Sequence, residues 1–170
     1  TLFATGNTQT SARLAALFPH GYYEDQDMWP WEHYEMMNLA AACERAAEFD
    51  VIHYEAAYYP MSTVFSRLVK TPMSQTIHLQ PPAEQVALWR YYAEANFVAI
   101  SSYQRLALEG LNCAATIYHG LDLANFPYSN APDDYLVFLG RFTPGKGILQ
   151  AVEIAQREIR THLPMALTLA

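Results

Sequence analysis

Positive charge is scarce in this 170-residue chain: ten Lys and Arg stand against seventeen Asp and Glu, for a net charge of −7. So few cations cannot neutralise a run of phosphates, which argues against nucleic acid as a partner, and the same deficit argues against docking on an anionic membrane face. Long apolar runs are missing too. None approaches the roughly 18 to 20 residues needed to cross a bilayer, so no membrane span is expected. Cysteine is limited to Cys43 and Cys113. Their wide separation offers neither a disulfide framework nor metal-ligand spacing, and they read as reduced core thiols. The expected location is the cytoplasm. Charged residues make up 16% of the chain and apolar ones 52%, a globular composition and not a disordered one. The length allows one domain with a real core, or one domain plus part of another.

Scarcity makes the remaining cations informative. Between positions 106 and 156 the only basic residues are Arg141 and Lys146. Both lie in Tyr135-Leu-Val-Phe-Leu-Gly-Arg-Phe-Thr-Pro-Gly-Lys-Gly-Ile-Leu149, which reads as a buried strand from Tyr135 to Leu139, a loop from Gly140 to Gly147, and a helix with Ile148, Val152, Ala155 and Ile159 at helical spacing. Such a loop can hold a phosphate. Amide groups and the dipole at a helix start favour negative charge, glycine lets the backbone approach, and two cations can neutralise a diphosphate. An ordinary strand-to-helix turn with two solvated cations is the competing reading. The loop also satisfies most of the nucleoside triphosphate P-loop pattern, but Gly147 stands where that pattern needs Ser or Thr for Mg²⁺.

The chain before this loop alternates strands with helical or irregular segments. Thr1 to Thr5 reads as a strand and Ala12 to Leu17 as a short helix. Pro30 and Glu32 open a helix running to about Phe49, with Met36, Leu39, Ala40, Cys43, Ala46 and Ala47 on its buried side. Between Glu24 and Glu55 nine acidic residues accompany one basic residue, Arg45, and read as a solvated face. Strands follow at 50–54, 73–78, 97–101 and 114–118. This alternation predicts an α/β fold, a Rossmann-like parallel sheet with flanking helices. Ligands bind beyond the C-terminal strand ends of such sheets, where His53, His78, Ser101, Ser102 and His119 fall. Each residue taken singly is more commonly a structural hydrogen-bonding group.

Five segments stand in an order and spacing that resemble the retaining glycosyltransferases of family 4, which have the two-domain GT-B fold. They are Phe49-Asp-Val-Ile-His53, Thr76-Ile-His78, Phe97-Val-Ala-Ile-Ser-Ser-Tyr-Gln-Arg105, His119-Gly-Leu-Asp-Leu-Ala-Asn-Phe126, and the Tyr135–Gly147 segment with its G-R-x-x-x-x-K-G signature. The resemblance implies an acceptor-side domain at 1–120, an interdomain linker at 121–134 and an incomplete nucleotide-sugar domain at 135–170. The 163–170 segment reads as a further strand opening. An earlier strand and a glycine-rich turn are expected to precede Thr1.

By the same resemblance, Arg141 and Lys146 hold the donor diphosphate and stabilise its departure, and His78 sits against the donor sugar as the catalytic residue. His53, Ser102 and His119 are acceptor-side or supporting residues. Ser102 replaces the family's common Asp, His119 its usual Asn, and Gly145 an acidic residue before the Lys. The implied partners are a nucleotide-sugar donor and a carbohydrate or small-molecule acceptor, with no cofactor and no metal. The expected function is therefore that of a fragment of a retaining sugar transferase, inactive alone and able to self-associate through uncovered apolar faces. The paired carboxylates of a glycoside hydrolase are not evident at facing strand tips; Glu55 is the nearest candidate, and a surface or supporting role is expected for it. A non-catalytic sugar- or nucleotide-binding module and a P-loop-like nucleotide-binding protein are the alternatives.

Overall fold

The computed structural model describes residues 1–25, 27–55, 60–131 and 135–159. The chain divides into two compact units, Thr1–Gly120 and Leu121–Ala170.

The first unit is α/β, with parallel sheets and flanking helices, consistent with a Rossmann-like fold. Its main sheet has four strands in sequence order: β3 (Ile52–Tyr54), β4 (Met73–Ile77), β5 (Asn96–Ala99) and β6 (Asn112–Thr116). A separate parallel pair is formed by β1 (Leu2–Phe3) and β2 (Leu14–Ala15). All the ladders of the main sheet are parallel, with His53 opposite Ser74, Thr76 opposite Val98 and Ala99 opposite Thr116. Three short helices make the crossovers: α2 (Ser62–Phe65), α3 (Ala83–Trp89) and α4 (Ser102–Ala107). A longer helix, α1 (Trp31–Glu44), precedes β3.

Burial explains why β5 is central. Phe97 and Ala99 on one face have no exposed surface and Val98 on the other is buried as well, so both faces of this strand are covered, and the stretch after Asn96 is the apolar run that this requires. Phe97 packs with Ile77, Val86, Trp89, Ala95 and Leu108, its ring stacked on Trp89 at 6.0 Å between centroids. A second cluster of Leu39, Ala46, Ile52 and Met73 joins α1 to the sheet edge. The buried polar groups are paired: Ser62 donates to Gln75 Oε1 (2.6 Å), and Gln104 accepts from the Ile100 amide (2.9 Å) while donating to the Leu79 carbonyl (3.0 Å). Ser101 caps α4 by accepting from the Gln104 amide (3.0 Å).

Three expectations need correction. Residues 12–17 do not form a helix; Leu14 and Ala15 pair with β1, and this long-range ladder overrides the local helix preference of an Ala- and Leu-rich run. The α-helix after Pro30 ends at Glu44 and tightens into a 3₁₀ turn at Ala46–Glu48. Arg45 there pairs with Glu48 (2.7 Å) and lies over the rings of Phe3 and Phe49. Met36 and Ala47 are exposed, and the buried positions of α1 are Leu39 and Ala42.

The third correction falls in the second unit. Residues 135–139 join no strand ladder, and Leu139 is 82% exposed, so the expected buried strand is absent. Strand structure needs a hydrogen-bonding neighbour, and none pairs with this segment among the described residues. Leu136, Val137 and Phe138 instead lie against α5 (Ile148–Ile159) around a cavity of about 190 Å³. A 3₁₀ turn at Leu123–Asn125, capped by Asp122, opens the expected linker, whose residues 132–134 lie outside the described residues. The strand expected at 163–170 lies outside them as well.

Candidate functional site

Strand alternation builds the site. Successive side chains of a strand point to opposite faces, so His53 and Glu55 share one face at the end of β3, and Ser74, Thr76 and His78 share the matching face at the end of β4. Parallel pairing sets these two rows side by side, since His53 lies opposite Ser74. His53 Nδ1 meets Ser74 Oγ at 2.6 Å, and its Nε2 meets both Thr76 Oγ1 at 3.0 Å and Glu55 Oε1. Thr76 Oγ1 donates to Glu55 Oε1 (2.7 Å), and His78 Nε2 meets Glu55 Oε2 at 2.9 Å. The ring of His119, beyond the end of β6, stacks on His78 with centroids 5.4 Å apart and planes 3° from parallel.

Three of the residues singled out from the sequence, His53, His78 and His119, therefore come together at the C-terminal end of the parallel sheet. Glu55 joins them, and its place is the main surprise. A supporting role was expected for it, yet its carboxyl accepts from both histidines and from Thr76. Partial burial raises the Glu55 pKa, but the hydrogen bonds from Thr76 and His53 and the positive charge available on His53 and His78 outweigh it, holding the group below the ordinary 4.5. The site is thus a carboxylate with imidazoles on either side. Among the described residues no group of three or more His, Cys, Asp or Glu side chains could hold a metal ion. A carboxylate and imidazoles so placed can hydrogen-bond a ligand and move protons.

Beside this group lies a cleft of about 440 Å³, bordered by Leu2 and Phe3 of β1, Glu35 and Asn38 of α1, and His53 and Glu55. Glu35 belongs to the acidic stretch read as solvated, but it is half-buried and accepts from Tyr22 Oη (3.3 Å) and Tyr54 Oη (3.4 Å). Burial raises its pKa above the ordinary 4.5, against the lowering effect of the two phenols. The Tyr54 phenol is pushed up in turn by its own burial and by the negative charge of Glu35.

Ser102 stands apart from the histidine group. It begins α4, and its hydroxyl and amide both engage Tyr118 Oη, at 3.0 and 3.2 Å. Those two contacts draw the Tyr118 phenol below its ordinary pKa of 10. Ser101, also placed at the sheet edge by the sequence, is occupied as the cap of α4.

In the second unit Arg141 and Lys146 are exposed, and among the described residues neither side chain has a hydrogen bond or ion pair. Thr143 precedes a 3₁₀ turn at Pro144–Lys146, in which the Lys146 amide donates to the Thr143 carbonyl (3.0 Å). Gly147 follows with φ of +76°, a left-handed conformation that favours glycine. The Ala151 amide donates to the Gly147 carbonyl (2.9 Å), closing the first turn of α5. The amides of residues 148–150 precede that bond and have no partner within the helix, the local arrangement that receives anions at helix starts. No acidic residue occupies the first turn of α5.

No protein-family model matches the sequence, and no curated protein matches it significantly.

Proposed function

We propose that the chain is part of a retaining glycosyltransferase, which moves a sugar from a nucleotide diphosphate donor to an acceptor hydroxyl. The observation that carries the reading is the meeting of His53 and His78 on the Glu55 carboxylate, with His119 stacked on His78, at the C-terminal end of a parallel sheet. Ligand sites in open α/β sheets lie at that end. The cations Arg141 and Lys146, without a side-chain partner among the described residues, and the first-turn amides of α5 add a second, separate feature of the right chemistry.

In this reading Arg141, Lys146 and the start of α5 take the negative charge that develops on the departing diphosphate, a task fixed cations and backbone dipoles perform without reorganising. His78 hydrogen-bonds the donor sugar, while His53 and His119 hold it in place. The acceptor enters from the cleft beside Glu35 and Glu55. No metal is required, since the charge of the leaving group is met by the protein.

The test is sugar transfer by a chain carrying both domains of the fold, supplied with uridine, guanosine or adenosine diphosphate sugars in EDTA. Release of nucleoside diphosphate with retained anomeric configuration is expected, slowed roughly 10²-fold in His78→Ala. Turnover only with Mg²⁺, or product of inverted configuration, would contradict the reading. Donor binding with no transfer to any acceptor would leave a binding module in its place.

A further inference from the structure

We propose that Glu55 is a positioning residue that fixes the proton of His78 on Nε2, so that the ring meets its ligand as a hydrogen-bond acceptor at Nδ1. The inference deepens the transferase reading and rests on it for the role of His78 as the residue that faces the ligand.

The argument follows the protons. An ionised carboxylate can only accept, so each group that touches Glu55 must donate to it. His78 therefore carries its proton on Nε2, the nitrogen 2.9 Å from Glu55 Oε2. Thr76 has one hydroxyl proton and spends it on Glu55 Oε1 (2.7 Å), which leaves its lone pairs to accept, and the one proton on His53 Nε2 is shared between that Thr76 oxygen (3.0 Å) and Glu55 Oε1. His53, protonated on Nε2, then accepts at Nδ1 from the Ser74 hydroxyl (2.6 Å). One carboxylate thus sets the direction of every bond in the row, and no proton is left without a place.

The row is open at His78. Among the described residues His78 Nδ1 has no hydrogen-bond partner, although its ring is largely buried, with 23% of the side chain exposed. The stacked His119 ring covers one face of His78, so a ligand reaches it at the edge. A neutral imidazole protonated on Nε2 has a lone pair at Nδ1 and accepts from a hydroxyl there. The ligand atom selected is consequently a hydrogen-bond donor, which on a sugar is a hydroxyl. An O-methyl or deoxy analogue leaves Nδ1 unpaired in a partly desolvated position, the situation in which polar discrimination is largest. Without the carboxylate the ring is free to place its proton on either nitrogen, and this preference for a donor is lost.

The experiment reads the tautomer directly, from long-range ¹H–¹⁵N spectra of the histidine-labelled chain at about pH 8, above the usual imidazole range. The native protein is expected to show a pyrrole-type Nε2 and a pyridine-type Nδ1 for His78. Glu55→Gln keeps the shape but can either accept or donate, and Glu55→Ala removes the group. Both are expected to convert His78 to a mixture of tautomers. A merely structural role for Glu55 would lower stability and leave the tautomer alone. A native His78 protonated on Nδ1, or an Nε2 proton retained in Glu55→Gln, overturns the proposal. The native spectrum and Glu55→Gln decide the matter even where Glu55→Ala fails to fold. Failure of the transferase reading is seen separately, as the absence of donor binding and transfer in a protein whose His78 tautomer is fixed.

Discussion

Two glutamates on the same unit answer pH in opposite senses because their surroundings differ. Glu55 is held ionised by three hydrogen-bond donors, and its pKa in the folded state lies below 4.5. A group depressed on folding contributes stability that is fully present above its unfolded pKa and is lost as pH falls through the folded value. Replacing Glu55 with Gln should therefore flatten the loss of stability on acidification below about pH 4.5, measured by denaturant unfolding across that range. A native-like acid slope in Glu55→Gln would mean the carboxylate is not held by the histidines and Thr76. Glu35 behaves the other way. Its raised pKa means that ionisation is harder in the folded chain, so its cost appears as pH rises through the folded value and is absent in acid. Glu35→Gln, which can still accept from Tyr22 and Tyr54, should stabilise the protein at neutral pH and leave it unchanged well below pH 4.5. Equal stability of the native and variant chains at neutral pH would count against burial as the cause. At this scale the sequence named the histidines but not their hub. The signal was present in the alternation His53-x-Glu55 and Ser74-x-Thr76-x-His78, but two rows of residues become one site only once the register of β3 on β4 is known.

Elements were legible in proportion to how far local pattern decided them. The four strands of the main sheet are short segments with apolar residues that end in polar ones and alternate with helical stretches, a signal strong enough to place β3 to β6 and the parallel α/β class. Phe97 is the best measure of that layer, being fully buried and stacked on Trp89. Phe97→Ala should destabilise the chain by about 3–5 kcal/mol, read from denaturant midpoints, because it removes the aromatic contact and leaves a cavity in a packed sheet face. A loss under about 1 kcal/mol would show that this face can collapse around the gap. The elements misread were those decided from outside themselves. Leu14 and Ala15 sit in a helix-favouring run and are strand only because β1 lies beside them. Helix α1 carries apolar residues on more than one side, so the buried stripe read from the sequence took in the exposed Met36 and Ala47 and missed Ala42, and which residues were covered depended on where the sheet edge and Phe49 lay. Residues 135–139 had the composition of a strand and lacked a described partner to make them one.

At the scale of the whole molecule, the chain presents two chemically distinct features on its two units. The first unit holds a carboxylate–imidazole group beside a cleft of about 440 Å³. The second holds two exposed cations, Arg141 and Lys146, in the loop before α5, neither with a side-chain partner among the described residues. The histidines of the first and the cations of the second are residues that the sequence resemblance marked, and in the proposed reading the two features divide the work into handling the sugar and handling the diphosphate. The net charge of −7 gives the Arg141–Lys146 loop its value, because general electrostatics cannot attract an anion here and any binding must be local. The most direct test of this account is thermal unfolding, in EDTA and in Mg²⁺, with uridine, guanosine and adenosine diphosphates, for a chain carrying both domains of the fold and for its Lys146→Ala variant. The account predicts that one nucleotide stabilises the native protein in EDTA, by roughly 2.7 kcal/mol at 100 times its dissociation constant, and that Lys146→Ala loses most of the gain. No stabilisation by any nucleotide, stabilisation only in Mg²⁺, or an undiminished gain in Lys146→Ala would contradict it.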